Sequence, residues 1–153
     1  MKTMPNNALF EAAIDEIGAG RSVLLRCGGN SMRPFLHDGR DVIELAPCTP
    51  EQIVRGAVVL YNYRGQYMVH RIVRLRADGR CECMGDGNLR TETILTSDVM
   101  AVMRSVRRRN GRTVLCRSAS WQWHWRLWAA LRPVRRILLK IDYLCRYENR
   151  RQA

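Results

Sequence analysis

Apolar positions near the start of the chain recur at helical spacing. Leu9, Ala13 and Ile17 are four residues apart and so would share one face of a helix. Two asparagines precede this segment and can cap its first turn, while Gly18 is a typical end signal. The pattern predicts an amphipathic helix over about residues 7–18.

The pattern then changes to short apolar, partly β-branched runs separated by turn residues, which is typical of strands. Asp78-Gly79 and Asn110-Gly111 are two-residue hairpin signals. The predicted strands are, in order, Ser22–Cys27, Asp41–Leu45, Ala57–Tyr63, Gln66–Leu75, Arg80–Met84, Val99–Arg108 and Arg112–Arg117. Residues 1–117 are therefore predicted to form one mainly β domain with a helix in front.

A second change of character at Ser118 marks a tail over residues 118–153. Apolar residues there alternate spacings of four and three, which is a helical stripe, at Leu127, Leu131, Val134, Leu138 and Ile141. Pro133 is expected to kink this helix or divide it in two. The tail is predicted to be amphipathic and helical.

The tail contains all four tryptophans of the protein and many arginines. An in-plane membrane helix has this composition, because indoles favour the headgroup level and arginines meet anionic lipid. The predicted membrane contacts are Trp121, Trp123, Trp125, Trp128, Arg132, Arg135 and Arg136. Two alternatives are a helix packed on the β domain with its arginines in solvent, and a helix docked on a partner protein.

Composition places the chain among globular proteins. Its 153 residues are 46% hydrophobic and 26% charged, which excludes a disordered, collagen-like or multi-span membrane protein. The net charge is +12, and 24 of the 26 basic residues are arginine. The six cysteines are expected to be reduced, because the chain is long enough to need no disulfide framework. Cys81-x-Cys83 supplies only two ligands, so neither a metal nor a cofactor is predicted.

Three residues form a candidate nucleophilic constellation. Ser31 follows Gly28-Gly29-Asn30 in a turn where backbone N–H groups can point at an oxyanion. His70, in a predicted strand, is the available general base, and Asp86, in a glycine-flanked turn, can orient its imidazole. Each residue alone has an ordinary structural explanation, as a turn serine, a core histidine and a turn aspartate. The functional interpretation depends on their joint occurrence.

Five segments in sequence order resemble the motif boxes of the type I signal peptidases and their relatives, the self-cleaving repressors of the SOS response. The segments are Gly29-Asn30-Ser31-Met32-Arg33-Pro34, Asp38-Gly39-Arg40-Asp41-Val42, Arg55-Gly56-Ala57-Val58-Val59, His70-Arg71-Ile72-Val73 and Gly85-Asp86-Gly87-Asn88. The resemblance covers about residues 23–106. It implies a serine peptidase with the family's small coiled antiparallel β-sheet catalytic core.

The resemblance also indicates a subtype. Many family members use a lysine base, but this chain has no lysine between Lys2 and Lys140. A histidine at the base position is the pattern of the endoplasmic-reticulum and archaeal type. By resemblance, Ser31 is then the nucleophile, His70 the base and Asp86 the assisting carboxylate.

The same resemblance implies a substrate groove beside the nucleophile. Gly29 stands where some members have a serine hydroxyl, so the oxyanion site would use backbone N–H groups, that of Ser31 with those of Asn30 or Met32. Met32 and Pro34 would shape the groove, and family members bind substrate as an added strand with small residues at the scissile bond. The implied partner is a peptide or protein precursor from which a leader is removed.

Two other functions compete with the peptidase. A catalytically inactive relative would bind an extended peptide without cutting it. A nucleic-acid binder would use the arginines near the Asn110-Gly111 turn, but the aromatic residues lie elsewhere and no nucleic-acid motif is present, so nucleic acid is an unlikely partner. No export signal or spanning segment is evident in the sequence, so the expected location is the cytoplasm or the inner membrane surface.

Overall fold

The computed structural model describes the backbone of residues 6–151 and the side chains of residues 8–144. The helices are α1 Asn6–Gly18, α2 Ala119–Ala130 and α3 Arg135–Arg151. The strands are β1 Val23–Arg26, β2 Val42–Ala46, β3 Val58–Tyr63, β4 Gln66–Leu75, β5 Arg80–Met84, β6 Glu92–Leu95, β7 Val99–Arg107 and β8 Thr113–Leu115. The predicted mainly β architecture, with a helix in front and a helical tail, is confirmed.

The strands form one antiparallel sheet in the order β1-β2-β7-β3-β4-β5-β6, with β8 paired to β7. Strand β7 therefore lies between β2 and β3, although it follows both of them in sequence. The ladder is interrupted by register shifts in three of its pairs, β2 with β7, β3 with β7, and β4 with β5. Such irregularities bend a strand and increase its twist.

The two predicted hairpin turns are present. Gly79 and Gly111 both adopt positive φ, at 75° and 81°, where a Cβ would be strained. In each turn the preceding side-chain carboxylate or amide accepts a hydrogen bond from the backbone two residues on. These turns join β4 to β5 and β7 to β8, and so set the register of both pairs.

Strand β6 was not predicted from the sequence. It is four residues long, and Ile94 is its one buried residue, so its apolar pattern is too short to stand out. It forms by pairing with β5, from Arg80 opposite Leu95 to Cys83 opposite Glu92. This pairing places Glu92 opposite Cys83, on the last strand of the sheet.

The core lies on both faces of the sheet because the central strand β3 is buried on both. Val58 and Leu60 belong to a main cluster with α1 and α2, whereas Val59 and Tyr61 belong to a second cluster with β4, β5 and β6. Alternate residues of a strand point to opposite faces, so four successive buried positions require cover on each side. Helices α1 and α2 provide that cover on the main-cluster side.

The tail divides at Pro133, as predicted. Helix α2 ends at Ala130, a short 3-10 turn follows, and α3 begins at Arg135. Trp121 and Trp125 of α2 are buried in the main cluster, so α2 packs on the sheet. Among the described helices, none combines the length and the apolar character that a membrane crossing requires.

A substitution at Gly56 would test the packing of α2 against the β domain. Gly56 has a φ of 95°, and a Cβ at this position would collide with the Trp125 indole. We expect Gly56→Ala to lower the free energy of unfolding by about 2–5 kcal/mol, from left-handed strain and overpacking together. Gly79→Ala is the matched control, because its φ is also positive but its Cβ would meet open space, and it should cost about 1–2 kcal/mol. Urea unfolding measures both, and equal losses would contradict the contact.

Candidate active site

Ser31 and His70 line the same cleft, which has a volume of about 290 Å³. Ser31 is half-buried in the turn that follows β1, and His70 is buried in β4 opposite Val59. The other walls are mostly apolar and come from α1, β1, β2, β4 and the segment between β1 and β2. They include Phe10, Leu25, Met32, Leu36, Ile43, Tyr67, Met68 and Val69. The structure therefore brings the predicted nucleophile and base to one surface.

The turn that holds Ser31 is closed by its own polar contacts. The Gly29 N–H donates to Asp38 Oδ1 at 3.0 Å, and Gly29 has a φ of 86°. Asp41 is buried at the end of the segment that joins β1 to β2. It accepts hydrogen bonds from the His37 N–H and from the side chain of Arg108, which directly follows β7. Since these contacts fix both ends of the segment, Ser31 lies on a defined turn.

The segment Gly85–Asn88 packs directly against the backbone of this turn. The Gly87 N–H donates to the Ser31 carbonyl oxygen at 2.7 Å. A Cβ at Gly87 would lie 2.8 Å from the Asn30 carbonyl oxygen, and one at Gly85 would overlap the Ser31 carbonyl oxygen. Only glycine allows this approach, which explains the two glycines that flank Asp86.

Asp86 does not contact His70, contrary to the prediction. Its carboxylate accepts two short hydrogen bonds from the buried Arg71 guanidinium, Nε to Oδ1 at 2.9 Å and Nη2 to Oδ2 at 2.7 Å. Its carbonyl oxygen accepts a further bond from Trp128 Nε1. The alternation of β4 explains the outcome, because Arg71 points to the opposite face of the strand from His70. Asp86 therefore anchors the glycine turn to β4.

The carboxylate beside the imidazole belongs to Glu92 of β6. Its Oε2 lies 3.1 Å from His70 Nδ1 and 3.1 Å from the Tyr61 hydroxyl, which is itself 3.2 Å from His70 Nδ1. The pKa of Tyr61 is raised well above its usual range, mainly by burial and to a smaller extent by the nearby Cys83 and Glu92. The hydroxyl therefore remains protonated and can donate. A carboxylate accepts only, so Nδ1 carries its proton toward Glu92 and Nε2 is left as the basic nitrogen.

Sequence reasoning missed Glu92 because the contact between Glu92 and His70 exists only once β6 has formed. The only sequence signal is an acidic residue at the start of a short run with one apolar position, Glu-Thr-Ile-Leu. Its meaning appears once β6 pairs with β5 and β5 with β4, since these pairings bring residues 22 positions apart into contact.

The predicted substrate residues divide between two places. Gly29 and Met32 line the cleft with Ser31, but Asn30 and Pro34 are not among its lining residues. Pro34 is exposed, follows a cis peptide bond and lines a separate pocket with aromatic residues of α2. The groove-shaping role predicted for Pro34 is therefore corrected, since its side chain faces that other pocket.

Ser31 is free to meet a ligand. Within the described side chains, its hydroxyl makes no hydrogen bond to His70, and its N–H has no protein acceptor. Nucleophile and base are often loosely arranged in the absence of substrate. The open N–H is what an oxyanion site built on the backbone requires.

Cys27 also lines the cleft and is a second nucleophilic side chain there. Burial, and then the charge of Asp41, raises the pKa of the Cys27 thiol to about 12. At neutral pH it is a thiol and a poor nucleophile. In the part of the chain with described side chains, no group of three or more histidine, cysteine or acidic residues is arranged to hold a metal ion.

The predicted membrane contacts also divide. Trp121, Trp125 and Arg135 are buried, and Trp128 is half-buried against Asp86. Side chains packed in the core cannot contact lipid in this fold, so that part of the prediction is corrected. Trp123, Arg132 and Arg136 are exposed.

No protein-family model matches this chain, and none of the curated proteins is significantly similar to it in sequence. The family resemblance therefore depends on the motif residues themselves.

Substitution of Asp86 and of Glu92 should change the free energy of unfolding by different amounts. We expect Asp86→Asn to lower the free energy of unfolding by about 3–5 kcal/mol, because it leaves the buried Arg71 charge without its partner. Glu92→Gln keeps an acceptor for Tyr61 and should cost only about 1 kcal/mol. Urea unfolding of both variants measures the difference, and a larger loss for Glu92→Gln would contradict the assignment.

Cys27 should resist alkylation. With its pKa raised to about 12, its reaction with iodoacetamide should be slow at pH 8 and should accelerate as the pH approaches that value. Peptide mapping by mass spectrometry follows the modification, with denatured protein as the reactive control. Rapid labelling of native protein at pH 8 would show that Cys27 is a thiolate.

Proposed function

We propose that this protein is a serine endopeptidase of signal-peptidase type, which removes a leader from a peptide or protein precursor. The observation that supports it most directly is the shared cleft of Ser31 and His70, with Glu92 beside His70 Nδ1. Nucleophile, base and orienting carboxylate are the parts that acyl transfer by a serine requires. The proposal replaces the predicted third member, Asp86, by Glu92.

In the proposed reaction, His70 Nε2 takes the proton of the Ser31 hydroxyl as Oγ attacks the scissile carbonyl carbon. The oxyanion forms near the open Ser31 N–H, and Glu92 stabilises the imidazolium through Nδ1. The imidazolium then gives its proton to the leaving amine as the C–N bond breaks, which leaves an acyl ester on Ser31. Water, deprotonated by His70, hydrolyses that ester and restores the enzyme.

Strand edges beside the cleft fit an extended substrate. β1 is an edge strand, and the part of β4 before Arg71 has no pairing with β5. Both segments line the cleft, as Leu25–Gly29 on one side and Tyr67–His70 on the other. Unpaired backbone of this kind binds a peptide by strand addition, and the apolar walls between the edges favour apolar side chains in the substrate.

The signal-peptidase type rests on the order of the motif boxes together with this geometry. The Gly85–Asn88 box packs on the nucleophile turn, and the base box supplies both His70 and the Arg71 that holds Asp86. In the proposal, the antiparallel sheet is the family's coiled catalytic core, and the enzyme works in the cytoplasm or at the inner membrane surface.

A peptide-binding protein without peptidase activity is the second candidate. It is favoured by the missing hydrogen bond between the Ser31 hydroxyl and His70 among the described residues. It would use the same strand edges and the same cleft, and its binding would not depend on Ser31.

Cleavage of a mixed leader-peptide library, mapped by mass spectrometry, tests the proposal. Wild type should cut at defined sites beside small residues. Ser31→Ala should abolish these cuts, His70→Ala should slow them by about 10²–10⁴-fold, and Glu92→Gln by up to about 10⁴-fold through the wrong imidazole tautomer. Ser22→Ala and His124→Ala are matched controls on exposed residues outside the cleft, and both should retain full activity.

The outcomes separate the two candidates. Cuts that survive in Ser31→Ala but not in Cys27→Ser would replace the serine mechanism with a cysteine one. No cuts by wild type, together with capture of the same peptides by wild type and Ser31→Ala alike, would establish the peptide-binding protein instead.

A further inference from the structure

Helix α3 exposes an apolar stripe. Ile137, Ile141 and Leu144 are 63%, 51% and 49% exposed, and spacings of four and three residues place them on one face of the helix. Val134, just before α3, and Leu127 of α2 are also exposed. Isolated exposed apolar residues are ordinary, but a continuous row of them marks an interaction surface.

The opposite face of α3 is held against the protein, which fixes the direction of the stripe. Arg135 is buried, with Nη2 donating to the Trp128 carbonyl oxygen at 3.1 Å. Asp142 is half-buried and forms an ion pair with Arg33 at 3.6 Å. Since both contacts lie away from the stripe, Ile137 and Ile141 face outward in this structure.

A basic row runs beside the apolar stripe. Arg136 and Lys140 are exposed and four residues apart, so they form one line along α3. Arg132, in the 3-10 turn just before α3, is also exposed. Between Arg135 and Leu144, Asp142 is the one acidic residue, and Arg33 pairs with it. The chain as a whole has a net charge of +12. The partner surface must therefore be negative and must accept apolar side chains.

We propose that this face of α3 docks in the plane of an anionic membrane, with Ile137, Ile141 and Leu144 in the acyl region and Arg136 and Lys140 at the phosphates. A helix with an apolar stripe and a flanking basic row suits this position. The exposed Trp123 and Tyr143 have the ring types that favour the headgroup level. A second copy of this chain fits less well, because it has the same net charge of +12 and the partner surface must be negative.

This surface differs from the one predicted from the tryptophans, since Trp121 and Trp125 belong to the core. It also lies close to the candidate active site. Arg33, the partner of Asp142, is two residues after Ser31. When α3 is docked, the ion pair between Asp142 and Arg33 would connect the membrane-bound helix directly to the turn that carries Ser31.

Co-sedimentation with vesicles tests the proposal, using phosphatidylcholine alone and phosphatidylcholine mixed with phosphatidylglycerol. We expect the full chain to bind the anionic vesicles and to dissociate as salt is raised. Arg136→Gln and Lys140→Gln should each weaken the partition about fivefold. Ile137→Glu with Ile141→Glu should abolish it. Leu75→Glu with Leu95→Glu is the matched control, because both leucines are similarly exposed but lie on β4 and β6 and not on α3, and it should bind as wild type does.

Other outcomes overturn the proposal. Equal binding by the α3 variant and its control would place the contact elsewhere, and failure of wild type to bind anionic vesicles would exclude a lipid surface. Light scattering of the same samples detects a dimer, and one that the isoleucine variant abolishes would identify a second copy as the occupant. Ser31→Ala should bind vesicles as wild type does, so this result is independent of peptidase activity. Circular dichroism confirms that each variant is folded.

Discussion

Arg71 and Asp86 form a buried ion pair that ties β4 to the Gly85–Asn88 segment, and this segment hydrogen-bonds to the turn carrying Ser31. Burying two charges is costly, and the cost is offset only where both are fully hydrogen-bonded, as here with two short bonds between them and a third from Arg71 to the Gly56 carbonyl oxygen. Aromatic rings from the nucleophile segment and α2 surround the guanidinium. They are Phe35, Trp121 and Trp125. The sheet, the turn and the tail therefore meet at one side chain.

Adjacent residues of β4 serve different faces of the sheet. His70 points toward Tyr61 and Glu92, while Arg71 points toward Asp86 and α2. The alternation of a strand thus separates the candidate chemistry from the contact that supports it. Both depend on the same stretch of ladder with β3, so a change in the register of β4 would disrupt the two together.

Much of the fold could be predicted because its signals are local. β4 and β5 have the predicted bounds, and Pro133 divides the tail where expected. These elements are encoded by the alternation of apolar and polar residues, by a two-residue hairpin sequence, or by the missing backbone N–H of a proline. β6 could not be predicted, since four residues with one buried position form a strand only by pairing. The site divides in the same way. Ser31 and His70 were found from local context, whereas Glu92 was not.

The sequence by itself determined which residues can do chemistry and which segments form the described strands other than β6, because these depend on side-chain type and near neighbours. Tertiary structure alone decided which carboxylate meets which basic side chain. Asp86 is the partner that the sequence predicts for His70, but the fold pairs Asp86 with Arg71 and Glu92 with the imidazole. Tertiary packing likewise divided the tryptophans between core and surface, since a helix's buried face depends on what lies against it.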